Sequence, residues 1–285
     1  MISLTGLHIH PIKSCGAINL NEATVESLGL ALDRRWMLVD PRGDFLSQRA
    51  FPLMATIRLN LASESELIVR APGMAPLVLP TVVPFKAPKI AVTVWGTALD
   101  ALDCGPEFHD WFSSYLGAEA RLVCFDPEVM RQCSLRWTGE RRVMTQFSDG
   151  FPLLVTSTAS LDDLNARMQQ KGAPPIPMNR FRPNLVLTGL PAYEEDYIDT
   201  LTLGEPGKEI VLRLVKPCAR CPMPGIDQHS GLRDTQWPHE PLDTLTTYRA
   251  DARVDGVTFG QNAIVVAGFG NALRLGMPVQ AELNF

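Results

Sequence analysis

Along the first part of the chain, short runs alternate apolar and polar side chains and break at turn residues. That is the period of strands with one buried face. It predicts strands over Leu4 to His10, Leu20 to Glu26, Trp36 to Asp40, Phe45 to Gln48, Thr56 to Leu61, Glu66 to Arg70 and Lys89 to Val94. Pro41-Arg42-Gly43-Asp44 has turn chemistry and predicts a hairpin between the third and fourth. The period then changes. Between Gly105 and Gly117, the side chains Phe108, Trp111, Phe112, Tyr115 and Leu116 recur at i, i+3, i+4, i+7 and i+8, one face of an amphipathic helix.

An arginine-rich stretch at 131–142 has no readable period. Beyond it, Ser160-Leu161-Asp162-Asp163 has the form of a capping box and predicts a helix that ends before Gly172. A proline-rich connection leads to predicted strands over Leu185 to Thr188, Thr200 to Leu203, Ile210 to Val215, Asn262 to Ala267 and Val279 to Leu283, with a short helix over Leu242 to Arg249. The chain therefore reads as mainly β with a few helices. Regular strand spacing predicts an antiparallel barrel-like domain over 1–103, and the remainder, 104–285, reads as a second β-rich domain.

Composition narrows the function. With 46% hydrophobic and 20% charged residues, disorder is excluded as a reading of the whole. A net charge of -5 gives no general attraction to nucleic acid or anionic lipid, so any anion site must be a local basic cluster. No apolar run approaches the roughly 18 residues of a bilayer span and the start lacks a signal pattern, so the expected location is cytoplasmic. Six irregularly spaced cysteines suit reduced thiols rather than a disulfide framework. Phosphate-binding P-loop, dinucleotide G-x-G-x-x-G and zincin H-E-x-x-H motifs are all missing.

The sharpest local feature is Lys216-Pro217-Cys218-Ala219-Arg220-Cys221-Pro222-Met223-Pro224, directly after an apolar run. Prolines on both sides oppose regular ladder pairing, and cations beside a thiol favour the thiolate that binds soft metals. Buried turn cysteines, a zinc ligand pair, a redox dithiol and soft-metal ligation all remain open for an isolated C-x-x-C. Three further clusters suit an anion: His10 to Cys15 with Lys13 and Ser14, Asp33-Arg34-Arg35-Trp36, and Asn179 to Asn184 with Arg182. Thr156 to Ser160 is a hydroxyl-rich helix start, which suits a phosphate or plain capping.

Read together and in order, these segments resemble the MOSC family, in the branch that joins an N-terminal β-barrel domain to a MOSC domain and includes the mitochondrial amidoxime-reducing components. The markers are Pro11 to Cys15, Asp33 to Trp36, Phe151 to Val155 with Ser160 to Asn165, Phe181 to Asn184, Cys218 to Cys221 and Phe259 to Gln261. The resemblance implies a molybdenum-molybdopterin cofactor, with Cys221 as the metal's thiolate ligand and the catalytic cysteine. It implies Lys13 and Ser14 at the phosphate end, Arg34 and Arg182 as cofactor-binding arginines, and Ser157 with Thr158 at a hydroxyl-rich turn. Arg220 and Asn262 complete the implied set. Asn262 stands where the mitochondrial relatives have tyrosine, and Ala219 where many have serine, which bears on substrate choice.

The implied activity is reduction of N-hydroxylated compounds such as amidoximes and N-oxygenated bases. A dinucleotide fingerprint and an iron-sulfur cysteine cluster are both missing, so electrons are expected from a separate ferredoxin, flavodoxin or cytochrome b5-like carrier with its reductase. Two rival readings stand beside it: a sulfur carrier with a persulfide on Cys221, and a zinc-binding module.

Overall fold

The computed structural model describes residues 1–82 and 86–284. Seven strands close a barrel: Leu153–Ser157, Leu185–Thr188, Ile2–Ile9, Pro278–Leu283, Ile198–Leu203, Ile210–Ala219 and Gly256–Ala267, the last pairing back to the first. One pair is parallel, Leu153–Ser157 with Leu185–Thr188, and helix Thr158–Gln170 makes the crossover it requires. Buried side chains two residues apart fill the interior, as a pleated strand dictates: Leu153 and Val155, Leu185 and Leu187, Leu201 and Leu203, Ile210 and Leu212, Ala263 and Val265.

Apart from two short strands that extend the barrel sheet, Ile18–Asn19 and Ala250–Asp251, the rest form smaller antiparallel sheets. Trp36–Val39, Arg121–Phe125, Thr97–Asp103 and Lys89–Val94 make one of four strands, in that order. Arg58–Ser63, Glu66–Arg70 and Leu77–Pro80 make a meander. The two ends of the chain are interleaved, since Ala272–Arg274 pairs with Glu22–Glu26 and the first strand lies between Leu185–Thr188 and Pro278–Leu283. Helix Pro106–Leu116 has Gly105 at its N-cap and a left-handed Gly117 at its C-cap, and it buries Trp111, Phe112 and Leu116 as its period predicts.

The mainly β architecture agrees with the sequence, and several local features depart from it, among them a strand predicted over Asn262 to Ala267 that begins at Gly256. Phe45 to Gln48 is not a strand: after Asp40 and Asp44 close the turn, only an isolated bridge and one bond from Leu46 to Leu38 continue the hairpin. The long helix starts three residues early, capped by Ser157, whose side chain accepts from the Ser160 N–H. Ser160 is thus inside the first turn. The strand predicted to stop at Val215 continues to Ala219, because register shifts after Leu214 and after Pro217 absorb what proline cannot pair. Strands Thr97–Asp103, Arg121–Phe125 and Leu77–Pro80 carry too few alternating positions to have been read.

Candidate functional site

Two motifs distant from each other in pattern are neighbours in space. The Lys13 N–H donates to the Trp36 carbonyl, the Trp36 N–H to Pro11, and the Arg34 N–H to His10, so the stretch 10–13 is zipped to 33–36. Asp33 accepts from the His10 N–H at 2.7 Å and from Arg34 Nη1 at 2.6 Å. Asn184 joins them to the barrel: its Oδ1 accepts from Arg34 Nη1 (2.8 Å) and from the Leu154 N–H (3.1 Å), while Nδ2 donates to the His8 carbonyl (3.1 Å). Arg34 Nη2 reaches the Arg182 carbonyl at 3.2 Å.

Backbone strain concentrates at the same place. Ser14, Arg34 and Arg182 have φ of 67°, 50° and 58°, in the left-handed region that side chains with a Cβ avoid by roughly 1–2 kcal/mol. Such conformations persist where the surroundings over-determine them, and three fall on residues that sequence motifs single out.

Arg182 is buried, 9% exposed, and among the described residues its guanidinium makes one hydrogen bond, a long 3.4 Å contact to Gln228 Oε1. Among the described residues no carboxylate pairs with it. Burial and the neighbouring Arg34 charge bring its pKa down to about 10. Burial, then Arg34 and Arg182, also hold His10 well below the usual imidazole range, and among the described residues His10 Nδ1 has no partner. A cavity of about 290 Å³ opens onto Arg182, His10, Arg58, Asn179 and Gln228. None of its walls is acidic, and Cys221, Lys13 and Arg34 lie outside it.

A second set of contacts ties this cationic region to the cysteine loop. Phe181 stacks on Phe259 with ring centroids 3.8 Å apart, which fixes the backbone from which Arg182 projects. Arg220 Nη2 donates to the Phe181 carbonyl at 2.9 Å, and Arg180 reaches the Pro224 carbonyl and Asp227. Arg220 Nη1 lies 3.1 Å from Cys218 Sγ, and among the described residues no hydrogen bond engages Cys221. Lys216 lies over the Trp137 and Phe151 rings. Burial pushes the thiols of Cys15 and Cys133 up to about 12 and about 11, and raises Cys104 and Cys124 too. Burial thus disfavours the thiolate at those four, and the C-x-x-C pair, both partly exposed, remains as the candidate.

The other expected residues are placed as follows. Lys13 is buried and donates to the Phe147 carbonyl at 2.8 Å and to Asp149. The Ser14 carbonyl accepts from Gln48 Nε2. Ser157 is fully buried, and its hydroxyl serves the helix cap and Ser160, which in turn donates to both oxygens of the buried Glu195. The helix start thus already faces a carboxylate of the chain's own. Thr158 donates to Thr188, and Asn262 donates to the Lys216 carbonyl within the barrel wall. Sequence reasoning missed His10, Asp33, Asp149, Asn184 and Gln228; of these only His10, Asp33 and Asn184 lie within quoted motifs. No three His, Cys, Asp or Glu side chains gather as a metal set among the described residues, so the four-ligand set of a structural zinc is not assembled here.

Comparison with known proteins accounts for these motifs. The profile described as the MOSC N-terminal beta barrel domain matches residues 1–119, and the MOSC domain matches 143–279. The chain belongs to the MOSC family. It is similar to mitochondrial amidoxime reducing component 2 of Bos taurus, 34% identical over 87% of this chain and 72% of that protein. Mitochondrial amidoxime-reducing component 1 of Mus musculus is 31% identical over 96% of this chain and 80% of that one. The molybdenum cofactor sulfurase of Oryza sativa is 29% identical over 87% of this chain, but over 31% of its own length. Among solved structures, the YUAD protein of Bacillus subtilis covers 100% of this chain and 98% of its own at a TM-score of 0.44 and 11% identity. Among the described residues no helix of this MOSC protein is long and apolar enough to cross a membrane.

Proposed function

We propose that this MOSC protein is a molybdenum-cofactor oxidoreductase that reduces N-hydroxylated compounds, amidoximes and N-oxygenated bases, with electrons from a separate carrier protein. The observation that carries the reading is the Phe181–Arg182 segment, which joins a buried guanidinium with no directly paired carboxylate among the described residues to the loop bearing Cys221. Similarity to proteins named amidoxime reducing components over most of the chain supplies the reaction class.

The residues fit such a cofactor on two observations. Arg182 is a buried donor short of partners among the described residues, which suits an incoming phosphate, and Cys221 is a partly exposed thiol that no hydrogen bond among them engages. Lys13, Ser14, Arg34 and Arg182 would hold the phosphate end, and the Cys221 thiolate would ligate the metal. Bound there, the cofactor supplies the two-electron chemistry that removes oxygen from an N–O bond.

The chain's own part is to hold and to exclude. Asp33, Asn184 and the Arg182 carbonyl fix Arg34 in one orientation, so its charge is placed before the ligand arrives. Arg220 engages Cys218, which leaves Cys221 as the thiol of the pair free to ligate. Pro222 and Pro224 limit the motion of the loop that carries it. A ferredoxin, flavodoxin or cytochrome b5-like carrier with its reductase would supply electrons.

Elemental analysis followed by a reduction assay tests this. Protein with near-stoichiometric molybdenum should convert benzamidoxime to benzamidine with reduced viologen, a small donor that needs no docking surface. Labile sulfane sulfur on Cys221 without molybdenum would favour a sulfur-carrier role instead; the rice relative is named a molybdenum cofactor sulfurase. Molybdenum-loaded protein that fails to turn over would overturn the reductase reading.

A further inference from the structure

The Lys13 ion pair is lopsided. The Lys13 side chain is 6% exposed and its ammonium donates to the Phe147 carbonyl, whereas the Asp149 side chain is 74% exposed. A buried ammonium without a counter-charge is costly, but an exposed carboxylate returns to water at little cost. Lys13 is therefore the fixed member and Asp149 the exchangeable one.

Asp149 has a second partner. The same Oδ1 accepts the indole N–H of Trp95 at 2.8 Å. Trp95 and Gly96 form the two-residue turn between Lys89–Val94 and Thr97–Asp103, with φ of 51° and 78°. That turn chemistry asks for Asn or Gly at the first position, so a tryptophan there, 48% exposed, has no local reason. The ring is held from the other side: the Arg49 guanidinium lies 4.4 Å from its centroid, and Phe45 touches both it (5.1 Å) and Lys13 Nζ (5.2 Å).

We propose that Asp149 is a displaceable counter-ion of the anion site. It neutralises Lys13 until a phosphate group reaches that ammonium, then swings to solvent, and the Trp95 turn that it holds is released with it. The inference rests on the reading that Lys13 belongs to the phosphate-binding cluster. It assigns to Asp149 and Trp95 a part in ligand entry, as positioning residues that touch the site through Lys13.

Calorimetry and tryptophan emission of the full-length chain, titrated with inorganic phosphate, test it. Binding should change the emission, and Trp95→Phe should remove that change while phosphate still binds. Asp149→Asn, and independently Asp149→Ser, should tighten phosphate binding by about tenfold, because the competing charge is gone. Unchanged or weaker binding in both Asp149 variants, with the fold intact by circular dichroism, overturns the displaceable role and leaves the anion site standing. If phosphate binds no better to the unsubstituted chain than to Lys13→Met, the anion reading of Lys13 fails, and the counter-ion role with it.

Discussion

Arg34 is oriented by the main chain of Arg182: its Nη2 donates to the Arg182 carbonyl at 3.2 Å, while its Nη1 is held by Asp33 and Asn184. Two like charges are thus kept near each other by neutral and acidic groups around one of them. The uncompensated member is Arg182, and that determines what its replacement does.

For Arg182, stability and ligand affinity should move in opposite directions. Burial and Arg34 bring its pKa from 12.5 down to about 10, so keeping it charged at neutral pH costs on the order of 3 kcal/mol. Arg182→Met should raise the melting temperature of the cofactor-free chain and lower retained pterin by one to two decades in affinity, roughly the loss of one charge-assisted bond. A fall in both quantities would show that the guanidinium is structurally compensated.

Cys221→Ser should abolish N-reduction and molybdenum retention with little change in thermal stability, since serine keeps the volume and loses the soft donor. Cys218→Ser should keep most activity, because Cys218 Sγ is engaged by Arg220. Activity assays with metal analysis of both variants check the assignment, and the reverse outcome would transfer the ligand role to Cys218.

Acid should destabilise the fold through His10. Burial and the charges of Arg34 and Arg182 hold its folded pKa well below 6.5, so below that value the unfolded chain binds the proton that the folded chain refuses. The stability contribution is complete above about pH 6.5 and is lost as pH falls toward the depressed folded value. Melting curves from pH 8 to pH 5 should therefore decline on the acid side, and His10→Gln should flatten that decline; His8, whose pKa burial also lowers, keeps a share.

Asn184→Ala should be the most damaging single change near the site that spares every implied ligand. It removes the acceptor for Arg34 and for the Leu154 N–H and the donor to the His8 carbonyl, all in a buried setting. A loss of about 3 kcal/mol is expected, measurable by denaturant unfolding, with weaker cofactor retention following from a loosened Arg34.

Periodicity made the helix Pro106–Leu116 and the strand Glu66–Arg70 readable, because each buries one face and carries turn or cap residues at its ends. The strand through Pro217 was unreadable, since local proline chemistry argues against a ladder and only long-range pairing with Gly256–Ala267 sustains it. For the site, motifs identified Arg34, Arg182 and Cys221 as candidates. They could not reveal that Ser157 is spent on a cap, nor that Asp149 faces Lys13 across 136 positions of sequence. Nothing periodic or compositional marks such a contact.

The barrel closes around a strand from the very start of the chain, whose neighbours are Leu185–Thr188 and Pro278–Leu283. Both partners lie far downstream of it, so during synthesis this strand stays without them until those distant segments have also been made. Such high contact order slows folding and lengthens the time that unpaired edges can aggregate. A fragment ending after residue 119 would carry that strand without either of these neighbours, and a fragment beginning at residue 143 would leave a gap in the wall of the barrel. The two matched regions thus share the wall of one barrel, and neither range alone holds all seven of its strands.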